Sequence, residues 1–383
     1  MVIVSCQTKF HAFALAEQLE NKGFLTKFFT AYAYQKDNWL RRFVKRVDRE
    51  NISRDKIKTN LLSAFRVKFN KDDYSNMEFF DKWVAGNLHN YPEAKVFIGW
   101  SAMSLNSILV ARGLGLKTIV ERGSSHIQYQ DRILQEEYRK FGMEFSIDKR
   151  VIEKELKEYE AVDYISIPSQ FVKQTFLEMG VPETKLIINN YGVSNYFKPV
   201  QFGKANNKFV ILYLGMVSIR KGLIYLFEAL SQLKIGEEDF EVWFIGGVAA
   251  EMNPVIKKYS KSNWHWKGHL PHYELAKWIS QCDVAVHPSI EEGLSMVIPQ
   301  IMACGVPVIA TTNTGGEDII EDGINGFIVP IRSPHAIANK ISQLYNDRSL
   351  LQSMKLNTVN IANKSLHWDN YGTRYEKFIK QLM

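Results

Sequence analysis

The stretch CDVAVHPSIEEGLSMVIPQIMACGVPVIATTNTGGEDIIEDGINGFIVP, residues 282–330, decides the fold of this chain. Two short apolar runs in it, Asp283–His287 and Pro307–Ala310, are β-branched and too short for helices, so they predict buried strands of a parallel sheet. Between them, Ser295–Cys304 has the length of a helix and is followed by Gly305, a residue type that commonly ends helices. The stretch therefore predicts a strand–loop–helix–strand unit.

The loop Glu291–Ser295 follows the first of these strands, and open α/β sheets bind ligands at that edge. Carboxylates suit sugar hydroxyls, whereas the free N–H groups at a helix start favour phosphate. A nucleotide sugar contains both chemical groups. The pattern alone fits an ordinary βαβ unit with a solvated acidic turn equally well.

The sequences HPSIEEGLSMVIPQIMACGVPVIAT and GGEDIIEDGINGFIVP resemble the donor-binding half of retaining glycosyltransferase family 4, also called group 1. Members of that family have a Glu-Gly pair and a second Glu, with seven residues between the two acids. Those positions are Glu292 and Gln300 here. The resemblance implies that Glu292 binds donor-sugar hydroxyls, that Gln300 contacts the ribose, and that Gly293, Leu294 and Ser295 complete this side of the donor site.

Gln300 is a departure from the family pattern. A hydrogen bond to a charged acceptor contributes roughly 1.5–3 kcal/mol and a neutral one roughly 0.5–1.5 kcal/mol, so the change costs about 1 kcal/mol of donor binding. The substitution alone does not predict an inactive enzyme.

A second turn with ligand-binding character follows the predicted strand Phe209–Leu214. It begins at Gly215 and carries Arg220 and Lys221 just before a predicted helix, where cations and helix N–H groups suit a pyrophosphate. By resemblance, Lys221 is one of two cations that neutralise the diphosphate leaving group. The other, an Arg of the family, is Met216 here, and we expect Arg220 to take over its role. The segment at His269 and Leu270 resembles the one that holds the base through its backbone, which leaves UDP and GDP donors both open.

The alternation of predicted strands and helices along the chain indicates an α/β fold. The resemblance makes this a GT-B fold, in which two Rossmann-like, doubly wound domains face a central cleft. We predict an acceptor-side domain at 1–197, a nucleotide-sugar-binding domain at 208–366, and a C-terminal helix at 367–383 that crosses back to the first domain. The Pro-, Gly- and Asn-containing segment between the domains has linker composition.

Three residues of the first domain are further candidates. Lys9 and His11 follow the first predicted strand and are candidates for phosphate or acceptor contacts, although a plain helix start explains them as well. His126 follows the predicted strand Lys117–Glu121, and the resemblance implies a catalytic position across the cleft from the donor sugar. An imidazole there can hydrogen-bond the sugar or transfer a proton; a structural histidine is the alternative.

Composition limits the other possibilities. The chain has 383 residues, of which 46% are hydrophobic, enough for two α/β domains, and three widely spaced cysteines, which makes a disulfide framework or zinc site improbable. The N-terminus lacks signal-peptide features, and no run of about eighteen apolar residues occurs, so we expect a cytoplasmic protein without membrane spans. No Asp-x-Asp motif indicates a metal, and we expect no cofactor.

The positive charge of the chain is concentrated in residues 36–71. This segment has twelve basic and four acidic residues, so its net charge of +8 exceeds the +7 of the whole chain. Apolar residues between Trp39 and Val47 share a helical face, as in an interfacial membrane helix. The segment either packs on the domain with solvated charges or docks on an anionic membrane surface. Recognition motifs for nucleic acid are lacking.

The resemblance implies transfer of a sugar from a nucleotide diphosphate with retention at the anomeric carbon. A glycan or lipid-linked acceptor in cell-surface polysaccharide or glycolipid biosynthesis fits the family and the basic segment. The alternative is a catalytically silent, glycosyltransferase-like subunit that binds sugar or membrane, for which Gln300, Met216 and the lack of glycines after the first strand argue.

Overall fold

The computed structural model describes residues 1–8, 10–31, 52–201 and 207–383. Within these residues the first domain has seven strands: β1 (Val2–Ser5), β2 (Leu25–Thr30), β3 (Ile57–Thr59), β4 (Val96–Trp100), β5 (Lys117–Glu121), β6 (Tyr164–Ile167) and β7 (Leu186–Ile188). Its helices are α1 (Ala12–Asn21), α2 (Leu61–Phe69), α3 (Asp73–Ala85), α4 (Leu105–Gly113), α5 (Ile127–Lys140), α6 (Lys149–Ala161) and α7 (Gln170–Glu178).

The second domain is built in the same way. Its strands are β8 (Phe209–Leu214), β9 (Phe240–Ile245), β10 (Trp264–Gly268), β11 (Val284–His287), β12 (Val308–Thr311) and β13 (Gly326–Val329). Its helices are α8 (Leu223–Ser231), α9 (Asn253–Tyr259), α10 (Leu275–Ile279), α11 (Val297–Ala303), α12 (Pro334–Asn346) and α13 (Arg348–Ser365), and a last helix, α14 (Trp368–Leu382), follows.

Both sheets are parallel and doubly wound. The strand orders are β3-β2-β1-β4-β5-β6-β7 and β10-β9-β8-β11-β12-β13. In each sheet the order reverses beside the first strand, and ligands bind at the carboxyl ends of the strands at such switch points. Every residue of β1, β8 and β11 is buried, because helices cover both faces of the sheets. The predicted fold class, two Rossmann-like doubly wound domains, is confirmed.

Helices α5 and α14 are among the elements that connect the domains. Ile133 and Leu134 of α5, which the sequence did not reveal as a helix, lie in the same buried cluster as the core of the second sheet. On the same helix Glu137 accepts hydrogen bonds from Tyr225 Oη and Arg332 Nε, both at 2.6 Å. At the other end of the chain, α14 packs against α1 of the first domain.

The helix predicted at Ser295–Cys304 is shorter than expected. It begins at Val297, because the backbone of the preceding loop bonds to the segment after β12. The N–H of Glu292 donates to Asn313 O at 3.0 Å and that of Ser295 to Thr314 O at 3.1 Å. The Ser295 amide is therefore already bonded, which corrects the expectation of a free N–H group for phosphate at that residue.

Candidate functional site

Three glycines lie side by side at the carboxyl ends of β8, β9 and β10. Gly215 N donates to Ile245 O at 2.9 Å, and Gly246 N donates to Gly268 O at 2.8 Å. Gly246 has a φ of 141°, and a Cβ atom there would lie 1.9 Å from Gly215 O, so the position excludes any other residue. This edge of the sheet lacks side chains at three adjacent strand ends, which allows close approach of a ligand to the backbone.

The turn after β8 and the loop after β11 meet as two cation–carboxylate pairs. Arg220 Nη2 lies 2.8 Å from Glu291 Oε2, and Lys221 Nζ pairs with Glu292 Oε1. The backbones are in contact as well, since Ile290 N donates to Arg220 O at 2.9 Å. The structure thus brings together the two cations and the acidic loop that the sequence singled out separately.

Glu292 is held as a carboxylate. Ser289 Oγ donates to its Oε1 at 3.2 Å, and His287 Nε2 lies 3.5 Å from the same oxygen. Burial acts to raise the pKa of Glu292, but the Lys221 charge, the hydrogen bond with His287 and the Arg220 charge outweigh it and hold the pKa well below the ordinary value. An ionised carboxylate in this position can only accept hydrogen bonds, which suits sugar hydroxyls.

Glu291 joins the two domains, a role that the sequence analysis missed. Its fully buried carboxylate accepts hydrogen bonds from Ser125 N at 3.0 Å, Ser125 Oγ at 2.7 Å and Gln130 Nε2 at 3.0 Å, all from the first domain. The fourth partner is Arg220 of the second domain. The sequence shows only an extra acid before a Glu-Gly pair, and nothing local indicates its distant partners.

Gly293 lies where the two domains are in direct contact. Its carbonyl accepts a hydrogen bond from Ser169 Oγ at 2.8 Å, and a Cβ atom on it would lie 2.1 Å from Gly123 O. Of the other predicted donor residues on this side, Leu294 packs in the hydrophobic core and Gln300 is buried in α11. The cleft is therefore closed beside the acidic loop.

His126 occupies the N-cap of α5. Its Nδ1 accepts a hydrogen bond from Gln128 N at 3.3 Å, and its ring packs 5.1 Å from the Tyr159 ring and 4.9 Å from that of Phe176. Burial and the charge of Arg122 lower the pKa of His126 to about 4, so the imidazole is neutral at pH 7. These contacts are within the first domain, although the loop before His126 contacts Glu291.

The remaining predicted residues are distributed around the same edges. His11 is buried, and its Nε2 lies 3.0 Å from Glu121 Oε2. His269 is exposed and Leu270 half-buried directly after β10. Lys9 lies outside the described residues.

The described residues contain no group of three or more His, Cys, Asp or Glu side chains that could hold a metal ion. Among the helices described, none combines the length and the apolar character that crossing a bilayer requires.

We expect His126 to make the protein sensitive to acid. Because its pKa falls from 6.5 to about 4 on folding, the unfolded chain binds a proton between these values that the folded chain does not, so stability falls as the pH drops through this window. The loss in free energy of unfolding is on the order of 2–3 kcal/mol.

Urea unfolding at pH 7 and pH 4.5 measures this loss. His126→Asn, which retains a capping oxygen, should reduce the difference, whereas the exposed control His335→Asn should not; equal pH dependence in all three proteins would contradict this.

Residues 196–360 match the family model described as "Glycosyl transferases group 1". The chain is 27% identical over 244 residues to the capsular polysaccharide biosynthesis glycosyltransferase CapM of Staphylococcus aureus, a match that covers 58% of this chain and 63% of CapM. The matches cover 63%, 60% and 40% of the lengths of the first three curated relatives, which is less than two thirds in each case.

Two solved structures share the fold over nearly the whole chain. Sucrose-phosphate synthase from Thermosynechococcus elongatus superposes with a TM-score of 0.72 at 16% identity, covering 100% of this chain and 98% of that one. HepE from Anabaena, solved in complex with UDP, gives a TM-score of 0.68 at 15% identity, covering 99% of both chains. The chain therefore has the GT-B fold and contains a group 1 glycosyltransferase domain in residues 196–360.

Proposed function

We propose that the protein is a retaining, family 4 glycosyltransferase that transfers a sugar from a UDP- or GDP-linked donor to a glycan or lipid-linked acceptor. The contact of the Arg220–Glu291 and Lys221–Glu292 pairs carries the proposal, since it places an ionised carboxylate and two cations in one site. The complex of HepE with UDP favours a uridine donor. The name of CapM favours a product in cell-surface polysaccharide biosynthesis.

In this proposal Glu292 accepts hydrogen bonds from donor-sugar hydroxyls, and the diphosphate lies against Arg220 and Lys221. As the bond between the anomeric carbon and the phosphate oxygen breaks, both cations stabilise the charge that develops on the leaving diphosphate. Their carboxylate partners already hold them in position, so little reorganisation is needed at the moment of reaction. Closure of the cleft around Gly293 excludes water that would hydrolyse the donor.

The other candidates keep supporting roles in the proposal. Gln300 binds the ribose, the turn that begins at Gly215 lies against the diphosphate, and the backbone at His269 and Leu270 binds the base. His126, as a neutral imidazole, faces the sugar from the first domain, and Lys9 and His11 act on the acceptor side. The loops of these three residues follow β1 and β5, which both end at the cleft edge of the first sheet.

The proposal divides the chain into domains at 1–197 and 208–366, with the segment 367–383 returning to the first domain. The contact of α14 with α1 supports this division. We place the protein in the cytoplasm, at the inner face of the cell membrane, with residues 36–71 against anionic lipid. The predicted apolar face at 39–47 lies outside the described residues.

A catalytically silent sugar- or membrane-binding subunit is the second candidate. The ion pairs favour it in one respect, because both cations already have carboxylate partners that a diphosphate must share. Gln300 and Met216 favour it in another, since both depart from the family pattern. A silent subunit would bind a nucleotide sugar without releasing nucleoside diphosphate.

A thermal-shift screen against UDP- and GDP-sugars and their free nucleotides tests the donor site. We expect one nucleotide family to raise the Tm. Lys221→Ala should weaken the binding of both the sugar-linked and the free nucleotide about 10- to 100-fold, because it removes a charge-assisted hydrogen bond. Glu292→Ala should weaken the nucleotide sugar more than the free nucleotide, because its partner is the sugar. Lys364→Ala, at an exposed position of α13, is the control.

The absence of a shift with every nucleotide would contradict the proposed donor site. A shift without release of nucleoside diphosphate in the presence of candidate acceptors would favour the silent subunit. The anomeric configuration of the product, measured by NMR, tests retention separately.

A further inference from the structure

Helix α2 exposes its apolar face to solvent. Its side chains Leu61, Leu62, Phe65 and Phe69 have exposed fractions of 77%, 68%, 62% and 61%. At about 100° per residue these four positions fall within an arc of about 100°. A surface helix normally turns such a stripe toward the core, so this orientation is the reverse of the usual one.

The polar side of α2 fixes the helix to the first domain. Ser63 is fully buried and its Oγ accepts a hydrogen bond from Gln7 Nε2 at 3.2 Å. Asn60 caps the helix, since its Oδ1 accepts from Ser63 N at 3.0 Å. The Gln7 amide also donates to Asn76 O of α3 at 2.9 Å. The outward orientation of the apolar face is therefore set by specific hydrogen bonds.

Basic residues flank this face on both sides. By helical geometry Arg66 lies at one edge of the arc and Lys68 at the other. Arg66 donates to Ser75 Oγ at 2.7 Å, and Lys68 Nζ lies 5.4 Å from the centre of the Phe69 ring. The helix sequence LLSAFRVKF contains no acidic residue. The surface combines an apolar centre with positively charged edges.

We propose that this surface, the α2 face, docks on an anionic lipid bilayer. Leucine and phenylalanine side chains insert at the boundary between headgroups and acyl chains, while Lys and Arg contact lipid phosphates. Gln7, which anchors α2, belongs to the loop after β1 at the cleft edge, so docking holds the cleft next to the membrane. The inference deepens the proposed function by assigning the membrane contact to one face of one helix, and it rests on that function only for the role of a lipid-linked acceptor.

Co-sedimentation of the full chain with vesicles tests the α2 face. We expect the protein to bind vesicles of equimolar phosphatidylcholine and phosphatidylglycerol. Binding to vesicles of phosphatidylcholine alone should be at least about tenfold weaker. The double substitution Leu62→Ser/Phe65→Ser should weaken binding to the anionic vesicles at least about tenfold, and Lys68→Glu about tenfold. The matched controls are Leu109→Ser/Leu114→Ser on exposed positions of the first domain and Lys364→Glu, which should bind as the parent does.

Vesicle binding and nucleotide binding are separate measurements. The α2 variants should keep the thermal shift with nucleotide, so failure of the donor site and failure of the α2 face can be told apart. Unchanged vesicle binding by Leu62→Ser/Phe65→Ser would overturn the proposal. A dimer that these substitutions dissociate, seen by light scattering without lipid binding, would overturn it in favour of a second copy as the partner.

Discussion

Replacing Gly293 by alanine should prevent closure of the cleft and lower transfer at least about 100-fold, because misplacement of the two domains by about 1 Å has effects of that size. The added Cβ would lie 2.1 Å from Gly123 O and 2.9 Å from Pro168 Cγ, both in the first domain. Gly123 O is a backbone atom, so no rotamer change relieves the contact. The domains must separate, which also breaks the hydrogen bonds between Ser125 and Glu291.

Three measurements check this expectation. Release of nucleoside diphosphate reports the activity, small-angle scattering reports the separation of the domains, and circular dichroism shows that each domain is folded. Gly113→Ala is the control, since no atom outside its own helix backbone and chain neighbours lies within 4 Å of the added methyl group. If Gly293→Ala keeps the parent's activity and its dimensions in small-angle scattering, the loops accommodate the added methyl group without opening the cleft.

The sequence predicted what depends on local pattern. Buried strands such as β5 and β8 appear with the expected bounds, because apolar runs are local properties. The acidic loop and the Arg220–Lys221 turn were recognised for the same reason. Their direct contact follows from the adjacency of β8 and β11 in the sheet, which local pattern does not show.

The sequence could not predict what depends on distant partners. Glu291 acquires its role from Ser125 and Gln130, more than 150 residues earlier in the chain. Likewise the start of α11 at Val297 follows from backbone bonds to the segment after β12. The apolar stripe of α2 has the spacing of a core-facing stripe, and only the structure shows that Ser63 is buried and the stripe exposed.

Glu121→Ala should destabilise the first domain by about 3–5 kcal/mol, the cost of breaking a buried charged network. The buried carboxylate of Glu121 accepts hydrogen bonds from Tyr371 Oη at 3.1 Å and from Tyr375 Oη, and its other oxygen lies 3.0 Å from His11 Nε2. Burial, the Glu121 charge and the hydrogen bond to Glu121 raise the pKa of both tyrosines far above the ordinary value, so both remain donors. Alanine leaves all three partners buried without this acceptor.

Two substitutions at Glu121 separate the loss of the hydrogen bonds from the effect of leaving a cavity. Glu121→Gln keeps an oxygen for the tyrosines, and its amide can donate to His11 in the other tautomer, so we expect a loss of only about 1–2 kcal/mol. Because Tyr375 is on α14, a double-mutant cycle of Glu121→Ala with Tyr375→Phe, measured by urea unfolding, should give a coupling of about 1 kcal/mol. Additive losses would mean that Glu121 does not hold the last helix to the first domain. A measurable coupling would instead show that the buried carboxylate of Glu121 holds the C-terminal helix to the first domain.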